Sequence, residues 1–243
     1  MPSPPTLGAT LLDPGHAEPH VLPTVGLAFG LDGPLLVRST HRRVEAGAFV
    51  LDPELAHSGT SDGLHAIALV DDRTPVGSAL VALRTSVHAN PPWLRDIHRE
   101  LLSHAHEIER PGVLVGWVGE LLHRAVRRGD WRAPRRDARV DAALGAIEES
   151  VRGGVALPRP LVRGISPAHL RALFKQEVGR TISDHVRRRR LLVAVAAIGH
   201  GASATQAAHA AGFSDSAHLS RTARAGFGTT LRTIRSGSMH LPD

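Results

Sequence analysis

One short segment of this chain occurs twice. Ala168-His169-Leu170, with Gly179 downstream, returns as Ala217-His218-Leu219 with Gly228 downstream, an offset of 49 residues, and Gly164 or Gly212 stands upstream each time. Around the first copy Ser166-Pro167 is a local helix start. Serine offers a side-chain acceptor to an unpaired amide, and proline lacks only an N–H that would have no partner there. A helix over 168–178 turns Leu170, Leu173, Phe174 and Val178 inward and leaves Arg171, Ala172 and Lys175 on its outer face. A longer helix is expected from Ser183, as cap, to Ile198, with Gly199 as its stop. Ser203-Ala-Thr-Gln206 has capping-box spacing for a short helix ended by Gly212, and Ser214 is placed to cap a further helix over Asp215–Ala225. The repeat reads as two helix-turn-helix units joined by one long helix.

The charge follows the same division. Up to Asp130 there are 11 basic residues against 15 acids, a balance of −4, and beyond it 18 against 8, a balance of +10. Such asymmetry directs the C-terminal part toward a polyanion, with duplex DNA favoured over an anionic membrane surface. The absence of cysteine excludes a disulfide framework, a cysteine zinc cage, an iron–sulfur cluster and a thiol nucleophile. Aromatic residues make up only 3% and tyrosine is absent, which argues against an RNA-binding sheet that stacks bases. Met1–His20 lacks the basic residues and apolar core of a secretory signal, and apolar runs such as Val113–Val118 are far too short to cross a bilayer. A cytoplasmic protein without membrane attachment is expected.

Residues 1–20, rich in proline and glycine and without periodicity, read as a flexible arm. From Val21 to about Leu83 short apolar runs alternate with turn residues: Val25–Phe29 before Asp32-Gly33-Pro34, Gly47–Leu51 before Asp52-Pro53, Leu64–Val70 before Asp71-Asp72, then Val76–Leu83. That spacing gives a small antiparallel barrel or sandwich. Trp93, Leu94, Ile97, Leu101 and Ile108 then fall at helical spacing, and Val113–Arg128 continues as a second helix. The chain therefore divides into 21–128, a linker at 129–136, and a helical domain at 137–236. Glu100, His104 and Glu107 share a helix face while His106 points elsewhere, a solvated stripe and not a ligand set. No catalytic constellation, metal site or cofactor is expected.

Residues 137–235 resemble the DNA-binding domain of the AraC/XylS family of bacterial transcription regulators. The resemblance is carried by Gly164-Ile-Ser-Pro-Ala-His-Leu-Arg-Ala-Leu-Phe-Lys175, by Thr181-Ile-Ser-Asp-His-Val-Arg-Arg-Arg-Arg-Leu191, and most specifically by Ala207-Ala-His-Ala-Ala-Gly-Phe-Ser-Asp-Ser-Ala-His-Leu-Ser-Arg221 closing at Gly226-Phe-Gly228. Three departures stand out. Pro158 and Pro160 fall where the first unit's leading helix belongs, so that helix is expected to be short or late. Ala223 replaces a large core aromatic, and Thr229–Arg235 lacks the family's proline. More weakly, Gly47-Ala-Phe-Val-Leu-Asp-Pro53 with His57 resembles the turn between strands in the cupin-like barrels that precede this domain in many members. The implied fold is a multidomain α+β chain: a small cupin-like β-barrel plus helices, then an all-α domain of two helix-turn-helix units on a connecting helix.

The resemblance implies base contacts from Ala168, Arg171 and Ala172 in the first unit and from Ser216, Ala217, Ser220 and Arg221 in the second. Only the arginines can bond guanine O6 and N7 bidentately. Lys175, Arg180, Arg187 and Arg224 are the expected phosphate contacts. The implied partners are double-stranded DNA, a second copy of the chain held through the helices Pro91–Arg128, a small-molecule or protein effector at the N-terminal domain, and RNA polymerase. Two rival readings are a cupin-type enzyme with a DNA-targeting tail and a regulator whose N-terminal domain serves only protein interaction. The charge asymmetry makes a measurable demand: a fragment 131–243 binds duplex DNA while 1–130 does not. With about six phosphates neutralised, log affinity falls against log salt with a slope of about −5 in a titration; indifference to salt would contradict the polyanion reading.

Overall fold

The computed structural model describes residues 6–40, 42–82, 88–89, 91–104, 111–128 and 135–236. Contacts divide the chain into two compact units, Met1–Ala133 with Ala223–Asp243, and Pro134–Thr222. Among the described residues no helix is long and apolar enough to cross a membrane.

The first unit is built on strands β1 (Thr6–Leu12), β2 (Gly15–His20), β3 (Val25–Gly30), β4 (Leu35–Ser39), β5 (Arg43–Ala46), β6 (Ala48–Leu51), β7 (His57–Ser61), β8 (His65–Val70) and β9 (His88–Ala89). They pair antiparallel into two sheets, β1-β8-β3-β6-β9 and β2-β7-β4-β5. Among the described residues the two antiparallel sheets are not joined into a closed barrel, so the small cupin-like barrel that the resemblance implied is not formed, because no ladder links the edge strands of one sheet to the other. The expected strand-turn-strand at Gly47–His57 carries the chain from β6 in one sheet to β7 in the other.

Residues 6–12 and 15–20 are strands, not a loose arm. β1 pairs with β8 from Thr6↔Val70 to Leu12↔His65, and β2 with β7 from Gly15↔Ser61 to His20↔His57. Both lie at sheet edges, and both ladders shift register, between Thr6 and Gly8 and between Ala17 and His20. Edge strands tolerate proline and bulges that a central strand would not, which is why their composition imitates a coil. Val76–Leu83 also departs from expectation, since Pro75–Ala82 is a helix, α1. Its start is local: the Thr74 hydroxyl accepts the Gly77 amide at 3.0 Å, and proline occupies the first helical position.

Helices α2 (Pro92–Ser103) and α3 (Pro111–Arg128) follow as the spacing predicts. Leu94, Ile97, Leu101, Leu114, Val118, Leu121 and Leu122 share one buried cluster with Val25, Leu27 and Phe29 of β3 and with Ala66, Ala68 and Val70 of β8. Because strand side chains alternate, the large residues of β3 fill the helix-facing side, and Gly26, Ala28 and Gly30 face the other sheet. His98 fixes α2 at the end of β3, its Nε2–H donating to the Gly30 carbonyl at 2.7 Å. His104 lies against Trp117 with ring centroids 4.4 Å apart, and Glu100 pairs with Arg124 at 2.9 Å. His41, His106, Glu107 and most of the 129–136 linker lie outside the described residues.

From Ala138 onward the described chain is helical: α4 (Ala138–Arg152), α5 (Pro167–Val178), α6 (Ile182–Gly199), α7 (Ala204–Ala210), α8 (Ser216–Phe227) and α9 (Leu231–Ser236). The first unit's leading helix is absent: residues 153–166, with Pro158 and Pro160, form an irregular connection. Two prolines in one turn remove amide donors and crowd the preceding carbonyls. Leu157, Leu161, Val162 and Ile165 still pack on the cluster of Val140, Leu144, Ile147, Leu170 and Phe174, where the missing helix would have placed its apolar face.

The connecting helix α6 is tied to α4 by a buried ion pair. Arg189 donates through Nε and an η nitrogen to the two Glu148 carboxylate oxygens at 2.9 and 3.0 Å, both side chains at most 10% exposed. Removing one partner of such a pair strands a charge away from water. Glu148→Gln is therefore expected to lower unfolding stability by about 3–5 kcal/mol, and the double change Glu148→Leu with Arg189→Met to recover most of it. Chemical denaturation of the three proteins checks this; equal midpoints for the single variant and the parent would show the pair to be energetically idle.

Candidate functional site

The 49-residue repeat survives as geometry. α5 begins after Ser166, whose hydroxyl accepts the His169 amide at 3.3 Å, and α8 begins after Asp215, whose carboxylate accepts the His218 amide at 2.7 Å. Leu170 and Phe174 are buried on α5, and Leu219 and Ala223 hold the matching buried places on α8. Gly179 and Gly228 follow the two helices with φ of 86° and 64°, a conformation that favours glycine. Two caps differ from expectation. Thr181, not Ser183, starts α6 by accepting the Asp184 amide at 3.2 Å. Asp215 rather than Ser214 caps α8, and the Ser214 hydroxyl donates to that carboxylate at 2.9 Å. The amide bond from His218 holds the Asp215 carboxyl below its usual range. The capping box at Ser203 and Gln206 forms as predicted.

Ala168, Arg171, Ala172, Ala217, Ser220 and Arg221 are exposed on the first turns of α5 and α8, and Ser216 is half-buried. Ser220 turns its hydroxyl back to the Ser216 carbonyl at 2.8 Å. His169 is exposed, whereas His218 packs edge-on against Phe213 with centroids 5.2 Å apart. The residues expected at phosphates have separate environments. Lys175 is exposed; Arg187 is exposed and paired with Asp184. Arg180 is buried, 4% exposed. Arg224 is bound to Glu18, Nε to Oε2 at 3.0 Å. The remaining arginines of the 187–190 run also have partners: Arg188 meets Asp184 at 2.8 Å, Arg189 meets Glu148, and Arg190 donates to the Gly212 carbonyl in the turn between α7 and α8 at 2.9 Å. Sequence alone could not sort these four, because a continuous run carries no periodicity.

Around Glu18 the end of α8 meets β2 backbone to backbone. The Glu18 amide donates to the Gly228 carbonyl at 3.0 Å, and the Val21 amide to the Ala225 carbonyl at 3.1 Å. A Cβ on Gly228 would stand 2.4 Å from the Glu18 carbonyl oxygen and 2.5 Å from His20 Nδ1, so no other residue fits there.

A second feature went unread in the sequence. Where β3 presents small residues to the other sheet, a cavity of about 300 Å³ opens, walled by Leu22, Ala28, Leu35, Val37, Ile67 and Leu69, with Phe227 and Ile234 also lining it. His20, His57 and His65 converge on its polar side with Ser61, and Asp13, His16, Thr60, Thr229 and Thr233 complete the polar lining. The rings of His20 and His57, opposite each other in the β2–β7 ladder, stand with centroids 4.4 Å apart. Burial, reinforced by the adjacent His57, pushes His20 down to about 4, and burial also lowers His57 and His65. The histidines were legible as residues, but their convergence depends on the pairing of β2, the strand that sequence disguises.

Residues 162–237 match the helix-turn-helix domain family, of the AraC type, bearing out the resemblance drawn from Gly164–Lys175 and Ala207–Gly228. No curated protein matches the sequence. Among solved structures, ToxT from Vibrio cholerae O395 is 11% identical over 93% of this chain and 96% of its own, with a TM-score of 0.54. The same protein bound to (E)-4-(8-methylnaphthalen-1-yl)but-3-enoic acid gives 10%, 93%, 97% and 0.53. ToxT from strain SCE256 bound to an unsaturated fatty acid gives 10%, 95%, 94% and 0.56. The shared property is architecture, a sheet-rich N-terminal region followed by a helical helix-turn-helix region.

The histidine wall imposes a pH dependence. His20 has a folded pKa of about 4 against 6.5 when free, so as pH falls below 6.5 the unfolded chain takes up a proton that the folded chain refuses. Stability present above that pH is lost as pH drops toward the folded value. Melting temperature is expected to fall between about pH 7 and pH 5 and to fall less in His20→Phe. Parallel pH profiles for the two proteins would remove His20 as the cause.

Proposed function

We propose that this chain, carrying an AraC-type helix-turn-helix domain, is a DNA-binding transcription regulator whose N-terminal unit receives an effector. The observation that carries the reading is the duplicated pair α5 and α8. Each starts at a side-chain cap and presents exposed small residues and one arginine, Arg171 or Arg221, on its first two turns. A recognition helix reads base edges with its N-terminal outward side chains. In this reading Ala168, Arg171 and Ala172 face one major-groove segment, and Ser216, Ala217, Ser220 and Arg221 the next. Lys175 and Arg187 supply phosphate contacts, and Arg224 does so on release from Glu18. Arg180, buried, braces the fold behind them. The cavity is the effector site, supported by its apolar walls and its few convergent polar groups.

Oligomer and polymerase contacts belong to the same proposal. The inner faces of α2 and α3 are spent on the core, while Leu102 and Val113 remain 42% and 37% exposed; these outer faces are the proposed dimer seam. Sedimentation of the full-length protein at micromolar concentration should give a dimer, and Leu102→Glu with Val113→Glu a monomer. A parent that sediments as a monomer would assign α2 and α3 a purely internal role.

Base reading separates from backbone clamping by substitution. Arg171→Ala and Arg221→Ala should each cost about 1–3 kcal/mol on the preferred site and relax preference at one base position, while Lys175→Ala weakens all sequences alike. Binding selection on randomised duplexes with each variant measures this. If Arg221→Ala kept the full base preference and lost only affinity, that arginine would be a phosphate clamp and specificity would lie with Ser216, Ser220 or DNA shape.

A further inference from the structure

Hydrogen bonds on the histidine side of the cavity spend the ring donors and leave the ring acceptors. Nδ1 of His20 lies 2.7 Å from the Glu18 carbonyl, Nδ1 of His57 lies 3.1 Å from that of Leu55, and Nδ1 of His65 lies 3.4 Å from that of Gly63. A carbonyl oxygen can only accept, so each ring keeps its proton on Nδ1, and Nε2 of the neutral ring is a lone pair. The same tie to the carbonyl two residues earlier recurs in all three rings. The Ser61 hydroxyl is likewise committed, donating to the Gly63 carbonyl at 2.7 Å. Nε2 of His57 is buried with no hydrogen-bond partner, a state that buried polar atoms rarely occupy. The charged group on the wall is Asp13, and among the described residues no lysine or arginine lines the cavity. His16 and Thr60, bonded to each other at 3.1 Å, lie on the exposed side.

We infer that the cavity takes an uncharged, largely apolar molecule whose polar end donates a hydrogen bond, of the phenol or alcohol class, with the His57 and His20 ring nitrogens as its acceptors. The inference rests on the reading of the cavity as the effector site and names the chemistry that site selects. A carboxylate would bring lone pairs to lone pairs beside Asp13, with no cation on the wall to balance it. An ether or ester of the same shape would fill the apolar space and leave the His57 nitrogen unsatisfied, and a site rejects a ligand that leaves its buried polar groups unpaired. The cavity lies at the small end of ordinary ligand sites, which suits one ring with a short chain.

The test uses the full-length protein and three probes of one shape: para-butylphenol, para-butylanisole and para-butylbenzoate. Calorimetry is expected to give binding of the phenol about tenfold tighter than of the anisole or more, with no competition from the benzoate. In His57→Leu the phenol falls to the level of the anisole. Should that variant fail to fold by circular dichroism, His20→Leu carries the same comparison. Equal binding of phenol and anisole, tighter binding of benzoate, binding of none of the three, or displacement of the phenol by zinc would each overturn the inference. Affinity for a selected duplex, measured with and without probe, keeps the two levels apart. A preferred benzoate that alters DNA affinity defeats the donor rule and leaves the effector site standing. A preferred phenol that leaves DNA affinity unchanged does the reverse.

Discussion

Val25, Leu27 and Phe29 of β3 face α1, α2 and α3, and Gly26, Ala28 and Gly30 face the second sheet. The first unit follows from that alternation. On the side of the large residues, three helices find enough apolar area to bury one face each, and the cluster is continuous from β3 through α2 and α3. On the other side the glycines and the alanine cannot reach across the roughly 10 Å that separates packed sheets. Space is left, and the residues that border it come from both sheets. One strand thus makes one side of its sheet solid and the other hollow. The hollow side is where β2 and β7 bring His20 and His57 together.

How much of this was legible depends on how local the cause is. Caps, stops and helix faces are decided within a few residues, so the starts of α5 and α7 and the positive-φ glycine after α7, Gly212, could be read directly from the sequence. Where two candidate caps stood close together, at Thr181 and Ser183 or at Ser214 and Asp215, sequence gave the region but not the residue, since either side chain could accept the same class of amide. The prolines at 158 and 160 pointed to the right place, and the outcome went further than expected, with the leading helix missing entirely and its apolar face supplied by an irregular segment. The edge strands β1 and β2 were illegible for the opposite reason. Their pairing is set by residues far along the chain, and their composition is what an edge permits.

The arginines show the same limit for charge. Net charge directed the C-terminal part toward a polyanion as an expectation, and Arg171, Lys175, Arg221 and Arg224 are exposed on α5 and α8. Yet of the consecutive arginines 187–190, one is buried against Glu148, one holds the turn between α7 and α8 through Gly212, and two share Asp184. Much of the run is thereby structural, fixing the connecting helix and the turn ahead of α8. A formal count overstates the cationic surface presented to solvent, because it weighs an arginine locked in the interior, such as Arg189, the same as one exposed on α5 or α8.

Gly228 serves two masters through the absence of one atom. Its φ of 64° ends α8, and its bare Cα lets β2 approach closely enough for amide and carbonyl to bond. The atoms that bar a side chain there include the backbone of Glu18, which no rotamer change can move aside. Any substitution therefore acts as a wedge whose effect is felt in an edge strand near the other end of the sequence. The tolerance of this helix terminus to mutation is set by a neighbour that chain order places more than a dozen elements away, and a variant at either Glu18 or Gly228 reports on the seam they form together.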